Sequence, residues 1–146
     1  GYERWLLCDD IQDPGNLGTI IRTALSFGFD AVALSQGCAD VFNDKTLRSS
    51  QGAVFHLPVV RGDLKDVIKE LRENQVRVFA STLEDAEPLS MIGLVDRVAV
   101  ILGNEGQGVS HRLMSQADGK VTIEMNAFES LNVAVAAGIF CYHWRK

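Results

Sequence analysis

Between Trp5 and Tyr142 the chain alternates short apolar runs with stretches whose apolar residues recur every three or four positions. The runs read as strands: Trp5 to Cys8, Ala31 to Leu34, Val54 to Leu57 closed by Pro58, Val76 to Ala80, Val98 to Leu102 and the brief Val121 to Ile123. Between them lie helical patterns. Leu17 to Phe27 puts Leu17, Ile20, Ile21, Ala24 and Leu25 on one face, with Asn16 placed to cap it and Gly28 to stop it. Asn43 to Ser50 is a short polar helix or turn, Leu64 to Arg72 is amphipathic, and Val109 to Gln116 and Ser130 to Tyr142 complete the set. Strands separated by helices pair through crossovers. The order therefore predicts an α/β fold: a mostly parallel sheet with helices on both faces. With 146 residues, one domain over 1–146 is expected, large enough to bury its own core.

Composition narrows the function classes. Hydrophobic residues at 47% and charged residues at 23% are ordinary for a globular chain. No apolar run reaches membrane-spanning length and no signal-peptide pattern is present, so no membrane role is expected. Cys8, Cys38 and Cys141 form no close pair, which argues for buried thiols in a reducing, cytoplasmic compartment. The net charge of −5 is acidic for a nucleic-acid module, so an RNA partner would require a local basic patch or a further domain. The sequence opens at Gly1 rather than Met, close to its first strand, and we expect a segment upstream of it.

In such sheets ligands sit beyond the carboxyl ends of the strands. Three segments there each precede a helix: Asp9 to Asn16, Gly103 to Gly108, and Glu124 to Asn132. The second reads GNEGQG. It is neither a GxGxxG fingerprint nor a P-loop, since it lacks the Lys-Ser/Thr ending. Glycines after a strand let a ligand approach the backbone, and Glu105 would repel a phosphate, so the loop suits a cationic or phosphate-free ligand. A plain strand-to-helix turn explains the spacing equally well. Arg22 on its apolar helix reads first as a solvated side chain. Ser130 and Asn132 read first as caps. Asp9, Asp10 and Asp13 lack metal-ligand spacing, His56, His111 and His143 form no zinc pattern, and no metal is expected.

Taken together, DDIQDPGNLGTIIRTALSFG (Asp9 to Gly28), VILGNEGQGVS (Val100 to Ser110) and IEMNAFESLNVAVAAGI (Ile123 to Ile139) resemble the three motifs of the SpoU, or TrmH-like, class of SPOUT RNA methyltransferases. RSSQGAVFHLPV (Arg48 to Val59) resembles the family's segment between the first two. The resemblance covers nearly the whole chain, in order. It implies a SPOUT fold with a C-terminal trefoil knot, a homodimer with active sites at the subunit interface, S-adenosylmethionine (SAM) as cofactor, and methylation of a ribose 2′-hydroxyl in ribosomal or transfer RNA. By resemblance the catalytic positions are Asn16, Arg22, Glu105, Ser130 and Asn132. The cofactor positions are Gly103, Asn104, Gly108, Ile123, Met125, Ser130 and Leu131, with Thr82 at another strand end. It also implies an additional N-terminal RNA-binding domain in many members. Two places depart from the family pattern: Glu124 stands where Pro is usual, and Ala127 lies near where a Gly is usual, in a loop one residue shorter.

Since a guanidinium stays protonated, Arg22 is expected to grip a phosphate and stabilise developing alkoxide charge rather than act as a base, with Asn16 holding it. Glu105 and Asn132 would order the loops and Ser130 would lie near the ribose. Two other readings compete: a non-catalytic RNA-binding dimer that keeps the fold, separable by SAM titration, and an ordinary doubly wound nucleotide-binding enzyme, which would need a phosphate-binding glycine pattern that DPGN does not supply.

Overall fold

The computed structural model describes residues 3–126 and 130–146. The elements run β1 (Glu3–Cys8), α1 (Pro14–Ser26), β2 (Ala31–Leu34), α2 (Asp44–Ser50), a 3₁₀ turn (Ala53–Phe55), β3 (Val59–Arg61), α3 (Leu64–Glu73), β4 (Arg77–Ser81), β5 (Glu87–Pro88), a second 3₁₀ turn (Leu89–Met91), β6 (Arg97–Leu102), α4 (His111–Met114), β7 (Gly119–Thr122) and α5 (Val133–His143). The strands form one sheet in the order β3-β2-β1-β6-β4-β7-β5, and every neighbouring pair is parallel. β6 lies between β1 and β4 in register, Leu6 opposite Val100 and Phe79 opposite Val100 from the other side.

Alternate residues of each strand divide between two apolar layers, as the pleat requires. Leu6, Cys8, Val98, Val100 and Leu102 join Leu17, Ile20 and Ile21 of α1 and Ala137, Phe140 and Cys141 of α5. Leu7, Ala99 and Ile101 face the opposite way, with Leu64, Ile68 and Leu71 of α3 and Leu113 of α4. Helices thus cover both faces, and no described helix is long and apolar enough to cross a membrane. All three cysteines are free and buried, and burial pushes each thiol above its usual range.

Several expected boundaries shift. Asn16 does not cap α1. The helix starts three residues earlier than expected, at Pro14, whose fixed φ and missing N–H suit a first helical position, and Asp13 is the N-cap without a side-chain cap bond. The stop holds: Gly28 follows the C-cap Phe27 with φ +80°. Val54 to Leu57 is not a strand. Gln51 and Gly52 both take positive φ, and the chain coils through the 3₁₀ turn before pairing with β2 only from Val59, beyond Pro58. α4 is shorter than its pattern, β7 ends before Ile123, and α5 starts at Val133 rather than Ser130, because the Asn132 side chain accepts from the N–H groups of Ala134 and Val135. β5 has two residues and no apolar pattern to announce it.

Two contacts fix the layers. Arg4 is buried at 2% exposure; its Nε donates to the carbonyl of Trp144 at 2.6 Å, and its Nη1 donates to the carbonyls of Glu3 and Asp96. Trp144 also stacks on Phe79 of β4 at 5.5 Å, so this residue is bound to both β1 and β4. On α1, Gly18 lets α2 lie directly against the helix: a Cβ there would fall 1.8 Å from Ser49 Oγ and 2.5 Å from the Thr46 carbonyl oxygen. Alanine in a helix is worth about 1 kcal/mol over glycine, whereas overpacking costs about 1–3 kcal/mol. The second effect wins here, because one obstructing atom is backbone. Gly18→Ala is therefore expected to lower unfolding stability by about 1–2 kcal/mol in urea denaturation. Gly62→Ala, which meets nothing within 4 Å, should change it by less than about 0.5 kcal/mol.

Candidate active site

At the end of β6 the chain makes a closed loop. Asn104 and Gly108 exchange backbone hydrogen bonds of 3.1 and 2.9 Å, and the Asn104 Oδ1 accepts from the N–H groups of Gly106 and Gln107. Asn104 Nδ2 donates to the Asp10 carbonyl at 2.7 Å, which fastens the loop to the end of β1. Glycine is needed at two of its positions for backbone reasons. A Cβ on Gly103 would lie 2.2 Å from the Gly108 carbonyl carbon, and Gly108 has φ +73°. The tight turn thus accounts for Gly103 and Gly108 before any ligand is considered.

Glu105, at the tip, reaches across to the first motif. Its carboxylate accepts from the N–H groups of Gln12 at 3.1 Å and Asp13 at 2.9 Å, and from Asn16 Nδ2 at 3.4 Å. Partial burial pushes this carboxyl up, but donation from Asp13, Gln12 and Asn16 outweighs it and holds the group below its usual range. A carboxylate just ahead of Pro14 also meets the positive end of α1. Asn16 in turn accepts from Asn132 Nδ2 at 3.1 Å, while Asn132 caps α5. One relay of side chains, Glu105 to Asn16 to Asn132, joins the three strand-end segments.

Arg22 is not in that relay. It is exposed, on α1 six residues beyond Asn16, and its guanidinium bonds to no described residue. The hold of Asn16 on Arg22 expected from the sequence is absent, since Asn16 is already engaged by Glu105 and Asn132.

Where the three segments meet there is a cleft of about 690 Å³, within the range of small-molecule sites. Asn16, Glu105, Ser130 and Asn132 border it, as do Thr82, Gly103, Asn104, Gly108, Ile123, Met125 and Leu131; Arg22 does not. Sequence reasoning missed Leu83, Glu84 and Asp85 after β4 and Lys120 on β7, which complete the opposite wall. No motif marks them, because the β4–β7 pairing brings them there. The charged lining is acidic on balance, with Glu84, Asp85 and Glu105 against Lys120, which suits a ligand carrying positive charge. Ala127 lies outside the described residues. Asp9 and Asp10 are engaged as acceptors, from the Ser110 N–H and the Ser35 hydroxyl, and among the described residues no group of three potential ligands could hold a metal ion.

Comparison with known proteins agrees with this geometry. The model of the SpoU rRNA Methylase family matches residues 3–142. The 23S rRNA (guanosine(2553)-2′-O)-methyltransferase RlmP of Bacillus subtilis is 49% identical over 141 residues, which are 96% of this chain and 57% of that protein. An AdoMet-bound rRNA methyltransferase from Sinorhizobium meliloti superposes with a TM-score of 0.91 at 34% identity, over 97% of this chain and 55% of that one. The SpoU methyltransferase AviRb from Streptomyces viridochromogenes, in complex with AdoMet, gives 0.84 at 30% identity, over 95% and 55%. The chain spans little more than half the length of these relatives. A parallel sheet of this order, three motif loops tied at its carboxyl edge and a family match over residues 3–142 lead to one assignment: the chain belongs to the SpoU rRNA methylase family.

Proposed function

We propose that this chain is the catalytic part of an enzyme that methylates a ribose 2′-hydroxyl of ribosomal or transfer RNA, with SAM as methyl donor. The observation that carries the reading is the convergence of the three motif loops, through Glu105, Asn16 and Asn132, on one cleft with an acidic lining. SAM bears a sulfonium cation and no phosphate, and when bound it supplies a methyl group already activated for transfer. Gly103, Asn104, Gly108, Ile123, Met125, Ser130, Leu131 and Thr82 would hold it, largely through backbone. What remains for the protein is alignment and control of one proton.

Arg22 is the group for the RNA side. Its guanidinium is exposed and bonds to none of the described residues, which suits it to grip a phosphate and to stabilise negative charge growing on the ribose oxygen. It cannot act as a base. Its place outside the cleft supports a homodimer in which Arg22 serves a site at the subunit interface. An apolar strip supports the same reading: Val135, Ile139 and Tyr142 on one face of α5 and Leu25 near Arg22 on α1 are 52%, 37%, 57% and 37% exposed. The return of α5 from β7 to the centre of the sheet, with Trp144 Nε1 bonded to the Gly93 carbonyl ahead of β6, supports a C-terminal trefoil knot. An N-terminal RNA-binding domain in the whole protein would supply the positive field that a net charge of −5 lacks. Free, buried cysteines support a cytoplasmic setting.

Replacing Arg22 with Ala should lower transfer of radiolabelled methyl to RNA by at least about 100-fold. Calorimetric titration should find SAM affinity within about threefold of the parent, and an equal loss of SAM binding would overturn the assigned role. Glu105→Gln removes the tie between loops, and methylation should fall by about tenfold or more. The folded carboxyl titrates below its unfolded value, so its stabilisation is present at neutral pH and is lost as pH falls through the folded value. The variant should melt a few degrees below the parent at neutral pH, with the gap closing below about pH 4.

A further inference from the structure

Glu124 stands between two residues that border the cleft, Ile123 and Met125. It is not itself part of the lining. Its carboxylate turns to the 3₁₀ turn at Leu89–Met91, where Oε1 accepts from the Ser90 N–H at 3.2 Å and Oε2 accepts from the Ser90 hydroxyl. These donations hold the carboxyl below its usual range. They are the only side-chain hydrogen bonds made by the described residues between Thr122 and Asn132.

The surrounding connections give this contact its leverage. One wall of the cleft is the segment after β4, with Thr82 to Asp85; the other begins with Thr122 and Ile123. β7 joins them: its Val121 carbonyl accepts from the Thr82 N–H at 3.0 Å, its last residue Thr122 begins the second wall, and β5 pairs with Val121 and Thr122. Pairing with β5 ends at Thr122. Among the described residues from there to the Asn132 cap, Ile123 packs against the core and Glu124 adds the side-chain hydrogen bonds that tie the third-motif segment to another element. A two-point grip at such a place removes conformational freedom that the cofactor would otherwise have to remove on binding.

We infer that Glu124 is a positioning residue: by gripping Ser90 it fixes Ile123 and Met125 against the cofactor and so sets SAM affinity, without touching the reacting atoms. The inference rests on the reading of the cleft as a SAM site. Its partner Ser90 lies outside the cleft lining, so its removal perturbs the site only through Glu124.

The test is a double-mutant cycle on the full chain, with SAM titrated calorimetrically into the parent, Glu124→Ala, Ser90→Ala and the double variant. Glu124→Ala should weaken SAM binding by about 5- to 20-fold and Ser90→Ala by about two- to fivefold, with the double variant no weaker than Glu124→Ala alone. At saturating SAM the methylation rate should stay within about twofold of the parent, because KM and not kcat carries the effect. Equal SAM affinity in parent and Glu124→Ala, or single effects that multiply in the double variant, would overturn the inference. A parent that takes up no SAM would instead defeat the proposed function. The latch is then decided by amide exchange in the free protein: faster exchange at Ile123 and Met125 in Glu124→Ala upholds it, and unchanged exchange ends it.

Discussion

The carboxylate of Glu105 accepts from three nitrogens of the first motif, and the rest of the site is arranged around that contact. It takes the N–H groups of Gln12 and Asp13, which precede α1 and have no helical carbonyl to serve, and it orients Asn16, which then meets Asn132. Three strand ends are brought to one place by an acceptor that stays charged at neutral pH. The cleft follows from that convergence, since residues of all three segments border it opposite the wall formed by Leu83 to Asp85 and Lys120. Glu105 thus serves the protein rather than the ligand, and the acidic character of the cleft owes as much to Glu84 and Asp85 on the facing wall.

The sheet was readable where burial on both faces leaves no ambiguity. Ala31–Leu34 and Arg97–Leu102 are apolar almost throughout, and each is a strand close to its expected limits. Reading failed where local chemistry overrides apolar pattern. Val54 and Phe55 look like strand residues, yet consecutive positive φ angles at Gln51 and Gly52 start a coil that only Pro58 ends. The two residues of β5 pair because β7 is already there to receive them, and that is a property of tertiary structure alone.

Much of the site was legible through its motifs, but not the connections among its members. The residues expected around the cofactor from Thr82 to Leu131 do border one cleft. Helical spacing spoke against Asn16 holding Arg22, since six residues along a helix leave two side chains about 120° apart, but it could not tell that Asn16 turns to Glu105 and Asn132 instead. Nor could it mark Lys120, whose neighbours in the cleft are set by strand order. The glycines of the loop carried two meanings at once: Gly103 and Gly108 serve backbone closure, and the closed loop is also what borders the cleft.

The central position of β6 has a consequence for how the molecule comes into being. β1 emerges first, yet its neighbour on one side is residues Arg97–Leu102, more than ninety positions later. Contacts of such long range close slowly, because the loop entropy must be overcome before any pairing rewards it. During synthesis β1 and β4 therefore wait with open edges, and the gap between them is filled by a strand that arrives after both. The last third of the chain then supplies β7, α5 and Trp144 to seal the layer. A ribosome-bound fragment that stops short of β6 would leave one edge of β1 and both edges of β4 unpaired, the state in which a nascent chain most needs a chaperone.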